Sequence, residues 1–176
     1  GKPGWNQKWR KPLREALDLL RDEVSAIFER EGEKIFHDVW EARNGYIDLI
    51  LNRSPEGIKN FFERYGDRDL DERGRIRGLK LLEMQRHALR MYTSCGWFFA
   101  DLAGLETIIV LQRAARVIQL AEELTGQSLE ERFLGHLSEA KSNLLEMGRG
   151  DQVYQRLVKP RRVTLANVVN HFAISS

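Results

Sequence analysis

Apolar residues recur at three- and four-residue steps along nearly the whole chain, and no segment of four or more residues alternates as a half-buried strand does. The clearest stripe begins near Pro12 and contains Leu13, Leu17, Leu20, Val24, Ile27 and Phe28. Such steps bring side chains onto one face of an α-helix, so the stripe predicts a long amphipathic helix. The same periodicity farther along predicts an all-α fold.

Helix start and stop signals divide the chain into about seven helices. Serine or aspartate at a helix start accepts hydrogen bonds from free backbone N–H groups, and glycine readily ends a helix. The signals, in chain order, are Pro12 with Gly32, Asp38 with Glu41, Ser54-Pro55 with Gly66, Gly126, Ser128 with Glu131, and Pro160. The first helix ends at Gly32 or continues to Phe36, and a last helix begins at Thr164.

Two long segments, residues 76–94 and 102–125, are apolar around most of the helical circumference. Helices of this kind lie in the centre of a bundle. The connection over residues 95–101 is short, which favours an antiparallel hairpin. We therefore expect a multi-helix bundle of about seven helices around a central antiparallel helical hairpin, with exposed loops at residues 67–75 and 141–150.

The composition fits one folded domain over residues 1–176, since 42% of the residues are hydrophobic and 31% are charged. Basic and acidic residues alternate, and the net charge is +2. The basic cluster at residues 159–162 has the composition of a solvated helix end, so we expect no nucleic-acid partner. No apolar run approaches the ~20 residues that span a bilayer, so we expect no membrane association.

The cysteine content and the chain ends bear on the cellular compartment of the protein and on whether it is part of a longer chain. A single cysteine, Cys95, excludes an internal disulfide and fits a reducing compartment such as the cytoplasm. The chain begins without methionine, and an amphipathic pattern is still in progress at Phe172 and Ile174. We therefore expect a fragment of a longer protein, acting as part of that protein.

Residues that would complete a catalytic or metal site are not grouped in the sequence. The four histidines are widely separated, and Glu83 with His87 is a common helical pair rather than a zinc signature. Cys95 has no evident base that would make it a nucleophile. We expect no catalytic residue, no metal and no cofactor in this chain, and no enzymatic activity from it alone.

A polar row, formed by Glu83, His87, Arg90 and Ser94, follows one face of the otherwise apolar helix over residues 76–94. Two interpretations are open. In the first, this face meets solvent, or Glu83 and Arg90 form ion pairs with a neighbouring helix. In the second, the row lines a cleft toward a missing domain, which makes His87 and Arg90 candidate polar contacts to a ligand.

Residues 92–99 place a glycine and several aromatic side chains where a buried helix ends. Aromatic clusters at helix ends commonly seal a core. An indole beside small polar groups also stacks on the apolar face of a sugar ring, whose edges bind nearby hydroxyls and amides. Trp97, with Ser94 and Cys95 beside it, is therefore a candidate sugar contact. Glu106 is close enough in sequence to join this site, or else it stabilises a helix N-terminus.

Several segments carry a family resemblance: residues 4–14, residues 85–99, Gly-Leu-Glu-Thr at residues 104–107 and His-Phe-Ala-Ile-Ser-Ser at residues 171–176. The most specific string is Thr-Ser-Cys-Gly-Trp-Phe-Phe, residues 93–99. Together they resemble the helical domain of unknown function that follows the catalytic barrel in a bacterial branch of glycoside hydrolase family 57-like proteins, which are labelled α-amylases or α-mannosidases. The resemblance covers nearly the whole chain.

The resemblance implies a parent hydrolase that acts on α-linked glucans by a retaining mechanism, with two catalytic carboxylates about 5 Å apart on an N-terminal barrel. This chain would be the accessory domain that packs on its own barrel and lines the cleft for an α-glucan oligosaccharide. In relatives a Ser-Asp-Trp string helps to form that cleft. Residues 94–97 resemble this string but lack its acidic residue, which leaves Trp97 as the matching position.

Two functions therefore stay open. The chain is an accessory domain at a sugar cleft, or it is a structural or protein-interaction helical module with no ligand. A solvent-facing Trp97 at the rim of a concavity favours the first. A sealed Trp97, with an exposed apolar patch elsewhere, such as on the helix after Thr164, favours the second.

Overall fold

The computed structural model describes residues 2–98 and 100–162. Within them the helices are α1 (Arg10–Gly32), α2 (Val39–Leu51), α3 (Pro55–Tyr65), α4 (Glu72–Arg90), α5 (Cys95–Phe98), α6 (Leu105–Thr125), α7 (Glu130–Leu137) and α8 (Gly150–Val153). Helix α8 continues through a π-helical turn, Tyr154–Val158, and a 3₁₀ turn, Lys159–Arg161. Extended pairing in this part of the chain is confined to two isolated bridges, so the all-α prediction is confirmed.

The central antiparallel hairpin is formed by α4 and α6. Near the start of α4, the Arg77 Nη2 atom donates to the Leu124 carbonyl at 3.1 Å, close to the end of α6. Lys80 pairs with Glu123 at 2.8 Å in the same region. Farther along α4, His87 shares a cavity with Arg113. Helices α4 and α6 therefore run in opposite directions, as the short connection between them predicts.

Helix α1 packs across this hairpin with the apolar stripe predicted from the sequence. The helix ends at Gly32. This position packs so closely against the start of α2 that an added Cβ atom would lie only 2.6 Å from the Val39 Cγ1 atom. The alternative of a helix continuing to Phe36 is wrong, because Phe36 instead forms a bridge with Gly66. Trp9, directly before α1, extends this stripe and is 1% exposed.

Several predicted helix boundaries are confirmed by their hydrogen bonds. The Asp38 carboxylate accepts from the N–H groups of Trp40 and Glu41, and the Ser54 hydroxyl accepts from Gly57 at 3.0 Å. Gly126 ends α6 with φ +73°, a left-handed conformation that glycine adopts without strain.

Other predicted boundaries are wrong. The two long helices are shorter at their connection than predicted, since α4 ends at Arg90 rather than at residue 94 and α6 begins at Leu105 rather than at residue 102. Helix α4 begins at Glu72 rather than at residue 76, because the Asp71 carboxylate accepts from the Gly74 N–H at 2.7 Å and caps the helix earlier. The predicted capping box at the start of α7 does not form. The Ser128 hydroxyl accepts only a long 3.4 Å bond from Glu130, and Leu129 occupies the cap position. The predicted helix from Thr164 lies outside the described residues.

The connection between α4 and α6 is anchored by Asp101, which is 5% exposed. Its Oδ1 atom accepts from the Ala103 N–H at 2.8 Å and from the Ser142 hydroxyl at 2.7 Å. Its Oδ2 atom accepts from the Asn143 N–H at 2.5 Å. The Asn143 side chain in turn donates to the Ala100 carbonyl at 2.9 Å. These bonds tie the connection that carries α5 to the loop before α8.

Candidate functional site

The aromatic turn predicted from the sequence is the short helix α5, and it is fixed rigidly on α6. Gly96 lies so close to this helix that an added Cβ atom would be 2.3 Å from the Val110 Cγ2 atom. The buried Thr107 hydroxyl donates to the Gly96 carbonyl at 3.2 Å. Packing and hydrogen bonding therefore hold the α5 backbone in one position.

The side chains of α5 divide between core and surface. Trp97 is half-buried and packs against the core, and the Arg14 guanidinium lies over its ring at 5.9 Å from the centroid. Phe98 is 84% exposed, and Ser94 and Cys95 are exposed as well. Trp97 is thus neither sealed in the core nor fully open to solvent.

Glu106 lies in the first turn of α6, where the helix dipole favours a carboxylate. Its backbone flanks α5, since a Cβ atom added to Gly96 would lie 3.6 Å from the Glu106 carbonyl oxygen. Glu106 is half-buried, and within the described residues it forms no ion pair with Arg113, two turns along α6. It is placed beside the aromatic turn, as the sequence spacing suggested.

The polar row on α4 contains three of its four predicted members, because α4 ends at Arg90 and Ser94 lies in the following turn. Glu83 accepts a hydrogen bond from the Tyr46 hydroxyl at 2.6 Å. It also forms ion pairs with Arg53 and with Arg86 of its own helix. Burial opposes the ionisation of Glu83, but the hydrogen bonds from Tyr46 and Arg53 prevail and hold the pKa of Glu83 below its ordinary value. Glu83 is thus joined to α2 by a hydrogen bond and to the α2–α3 connection by its ion pair, whereas Arg90 forms no ion pair within the described residues.

His87 faces a different environment, a cavity of about 230 Å³ that we call the α4–α6 cavity. It is lined by His87 of α4, by Gln112, Arg113 and Arg116 of α6, and by Arg161 and Arg162 after α8. Burial lowers the pKa of His87 to about 4, against the attraction of Glu83, so the imidazole is neutral at pH 7. Its Nδ1 atom is buried without a hydrogen-bond partner in the described part of the chain.

A family model with the description "Domain of unknown function (DUF3536)" matches residues 5–176. The chain belongs to the DUF3536 family. Comparison of this DUF3536 domain with curated proteins and with solved structures finds no match. No described helix of the domain is both long and apolar enough to cross a membrane. Within the same residues, no three histidine, cysteine or carboxylate side chains are grouped as metal ligands.

The structure of the DUF3536 domain therefore separates the six candidate residues into two groups. Ser94, Cys95, Trp97 and Glu106 lie in or next to α5, where α6 begins, whereas His87 and Arg90 lie on α4. His87 lines the α4–α6 cavity, and the first group contributes no side chain to that cavity. Sequence reasoning missed the arginines that complete the cavity, because they come from separate parts of the chain.

Proposed function

We propose that this DUF3536 domain is the accessory helical domain of a family 57-like glycoside hydrolase acting on α-linked glucans. In this proposal the domain packs on the catalytic barrel through the surface around α5 and borders the sugar cleft with Trp97. The chemistry belongs to two carboxylates of the barrel, and the helical domain supplies shape and position. The sequence resemblance names the class of partner, and the exposure of α5 supports the place of contact.

The observation that carries the proposal is a set of apolar side chains displayed on a rigid turn. Phe98 is 84% exposed and Leu105 is 66% exposed at the two ends of the α5–α6 connection. A single exposed apolar side chain is ordinary on a protein surface. Here the backbone beneath them is fixed by Gly96 and Asp101, so docking costs little conformational entropy.

Trp97 supports the sugar-facing part of the proposal. Its indole is half-exposed, and the side chains of Ser94 and Cys95 are exposed beside it in the chain. The Arg14 guanidinium lies 5.9 Å from the ring centroid in a cation–π contact, and packing against the core limits the orientation of the ring. A ring held in this way presents a constant surface for the C–H face of a pyranose.

The docking surface is tested by mixing the chain with the separately expressed barrel of the same longer protein and measuring affinity by calorimetry. Phe98→Ser and Leu105→Ser should each weaken binding at least tenfold, because each removes apolar area from the contact. Ile76→Ser is the matched control, since Ile76 is 48% exposed near the start of α4, at the opposite end of the hairpin from α5, and should leave affinity unchanged. Equal affinity in all three variants would contradict the proposal.

A second candidate function, a protein-interaction module without a ligand, is favoured by one observation. Another exposed apolar surface lies between α2 and α4, where Ile47 is 54% exposed and Leu89 is 58% exposed and both line a cavity of about 270 Å³. Loss of barrel binding in Ile47→Ser, with normal binding in Phe98→Ser, would support docking through this surface instead. A malto-oligosaccharide titration followed at the Trp97 indole N–H signal separates the two functions further.

A further inference from the structure

The α4–α6 cavity concentrates positive charge beyond what its neighbouring carboxylates neutralise. Arg116 and Lys80 share Glu123, and the Arg116–Glu123 contact is long at 3.7 Å. Lys159 and Arg162 likewise share Glu130. Each of these carboxylates thus serves two cations. The cavity wall therefore carries a local excess of positive charge even though the net charge of the whole chain is only +2.

Arg113 is the clearest part of this excess. It is half-buried in the cavity wall, and it forms no ion pair within the described residues. Burial and the like charges of Arg90 and Arg86 lower its pKa, so its cationic form is held in an unfavourable field. Residues 163–176 contain no aspartate or glutamate, so no side chain of that segment supplies the missing negative charge.

The wall also contains hydrogen-bond donors suited to an oxyanion. Gln112 lies one residue before Arg113 on α6, and its amide is half-exposed. His87 is neutral and has a single ring N–H. Its Nε2 atom lies 3.8 Å from the Glu83 carboxylate, and its Nδ1 atom, buried without a partner in the part of the chain that the structure describes, donates to an oxyanion in the tautomer with the proton on Nδ1. Arg161 is exposed and lines the cavity from the 3₁₀ turn after α8. Arginine side chains with planar forks of N–H groups match the oxygens of phosphate better than point charges do.

We propose that the α4–α6 cavity is an anion-binding site for a phosphate group, with Arg113 as its principal cation and Arg116, Arg161, Gln112 and His87 as surrounding contacts. The volume of about 230 Å³ lies below the roughly 300–1,000 Å³ of pockets for drug-sized ligands, so it suits a small ligand. The group comes from inorganic phosphate or from a phosphorylated sugar. This site is separate from the α5 surface, and it does not depend on the proposed function.

The experiment follows thermal unfolding of the whole chain against inorganic phosphate, with ionic strength held constant by sodium chloride. Bound phosphate stabilises the folded state, so the Tm should rise saturably at millimolar phosphate. Arg113→Gln should weaken the apparent affinity at least tenfold, and without phosphate its Tm should equal or exceed that of the parent. Arg73→Gln is the matched control, because Arg73 is exposed in the first turn of α4, away from the cavity.

Phosphate also stabilises proteins without a specific site, because it is excluded from their surface. A Tm rise of equal size in the parent and in Arg113→Gln therefore overturns the proposal, and so does the absence of any rise beyond the chloride control. If Arg113→Gln does not fold, Arg161→Gln on the exposed 3₁₀ turn replaces it with the same expected loss.

Two further ligands identify the source of the phosphate group. Tighter binding of glucose 6-phosphate than of inorganic phosphate supports a phosphorylated sugar, and equal binding of the two supports free phosphate. Glucuronate carries a carboxylate in place of the phosphate. Binding of glucuronate without binding of either phosphate compound would overturn the assignment.

Discussion

Replacing Asp101 by asparagine tests whether the α5–α6 connection is held by one buried carboxylate. The side chain is 5% exposed and accepts three hydrogen bonds, two on Oδ1 and one on Oδ2. An asparagine has the same shape but replaces one acceptor oxygen by an NH₂ donor. In either orientation the new amide faces a backbone N–H, that of Ala103 or that of Asn143.

The cost follows from these contacts. Losing one charge-assisted hydrogen bond costs about 1.5–3 kcal/mol, and burying two donors against each other adds roughly 1 kcal/mol or more. We therefore expect Asp101→Asn to lower the free energy of unfolding by about 3 kcal/mol. For a domain of this size each kcal/mol lowers the Tm by roughly 2–4 °C, so a fall of about 6–12 °C should follow.

Urea unfolding followed by circular dichroism measures this loss. Ser142→Ala removes one of the three bonds and should cost about 1 kcal/mol. Asp69→Asn is the matched control, since Asp69 is exposed, and it should change stability by less than about 0.5 kcal/mol. An Asp101→Asn variant within 1 kcal/mol of the parent would refute the view that this carboxylate anchors the connection.

Three more predictions concern glycine packing and pH. Gly96→Ala should lower stability by about 1–3 kcal/mol in urea unfolding, because its Cβ atom would press on Val110. Its control Gly135→Ala, in an open helical position, should raise stability by roughly 0.5–1 kcal/mol; the opposite order would refute the packing argument. Gly126→Ala should cost about 1 kcal/mol by the same assay, since its φ of +73° strains any side chain, and an unchanged stability would contradict this. Burial lowers the pKa of His87 from 6.5 to about 4 in the folded state. Between these pH values the unfolded state binds more protons than the folded state, so the free energy of unfolding falls as the pH drops from about 6.5 to 4. The loss should reach about 2–3 kcal/mol, and an identical pH profile in His87→Gln would show that His87 is not its source.

The helices were predictable because periodicity and capping residues act over only a few positions. Ser54 and Gly126 fulfil their predicted roles through bonds and torsions within one turn of each boundary. The capping serine predicted at Ser128 failed for a tertiary reason, since the packing of Leu129 against the core places the helix start one residue later. The start of α4 was missed because Asp71 lies in a charged stretch that has the composition of a loop.

The candidate sites were predictable only where their residues are neighbours in the chain. The sequence spacing was enough to place Glu106 beside the turn that contains Trp97. The α4–α6 cavity joins His87, Arg113 and Arg161, which are separated by more than one helix length along the sequence. The excess of positive charge arises because each carboxylate that the fold brings near these arginines is shared by two cations. A single sequence does not show which carboxylates will lie near which arginines.

The most direct test of the proposed function is an NMR titration of the tryptophan indole N–H signals with malto-oligosaccharides at millimolar concentration. The chain has four tryptophans, and Trp9 is 1% exposed, so its signal serves as an internal control. We expect a saturable shift at Trp97 that Arg14→Gln alters, because that guanidinium lies over the ring. The absence of a saturable shift at Trp97, or equal shifts at Trp97 and Trp40, would contradict a sugar-facing role for α5.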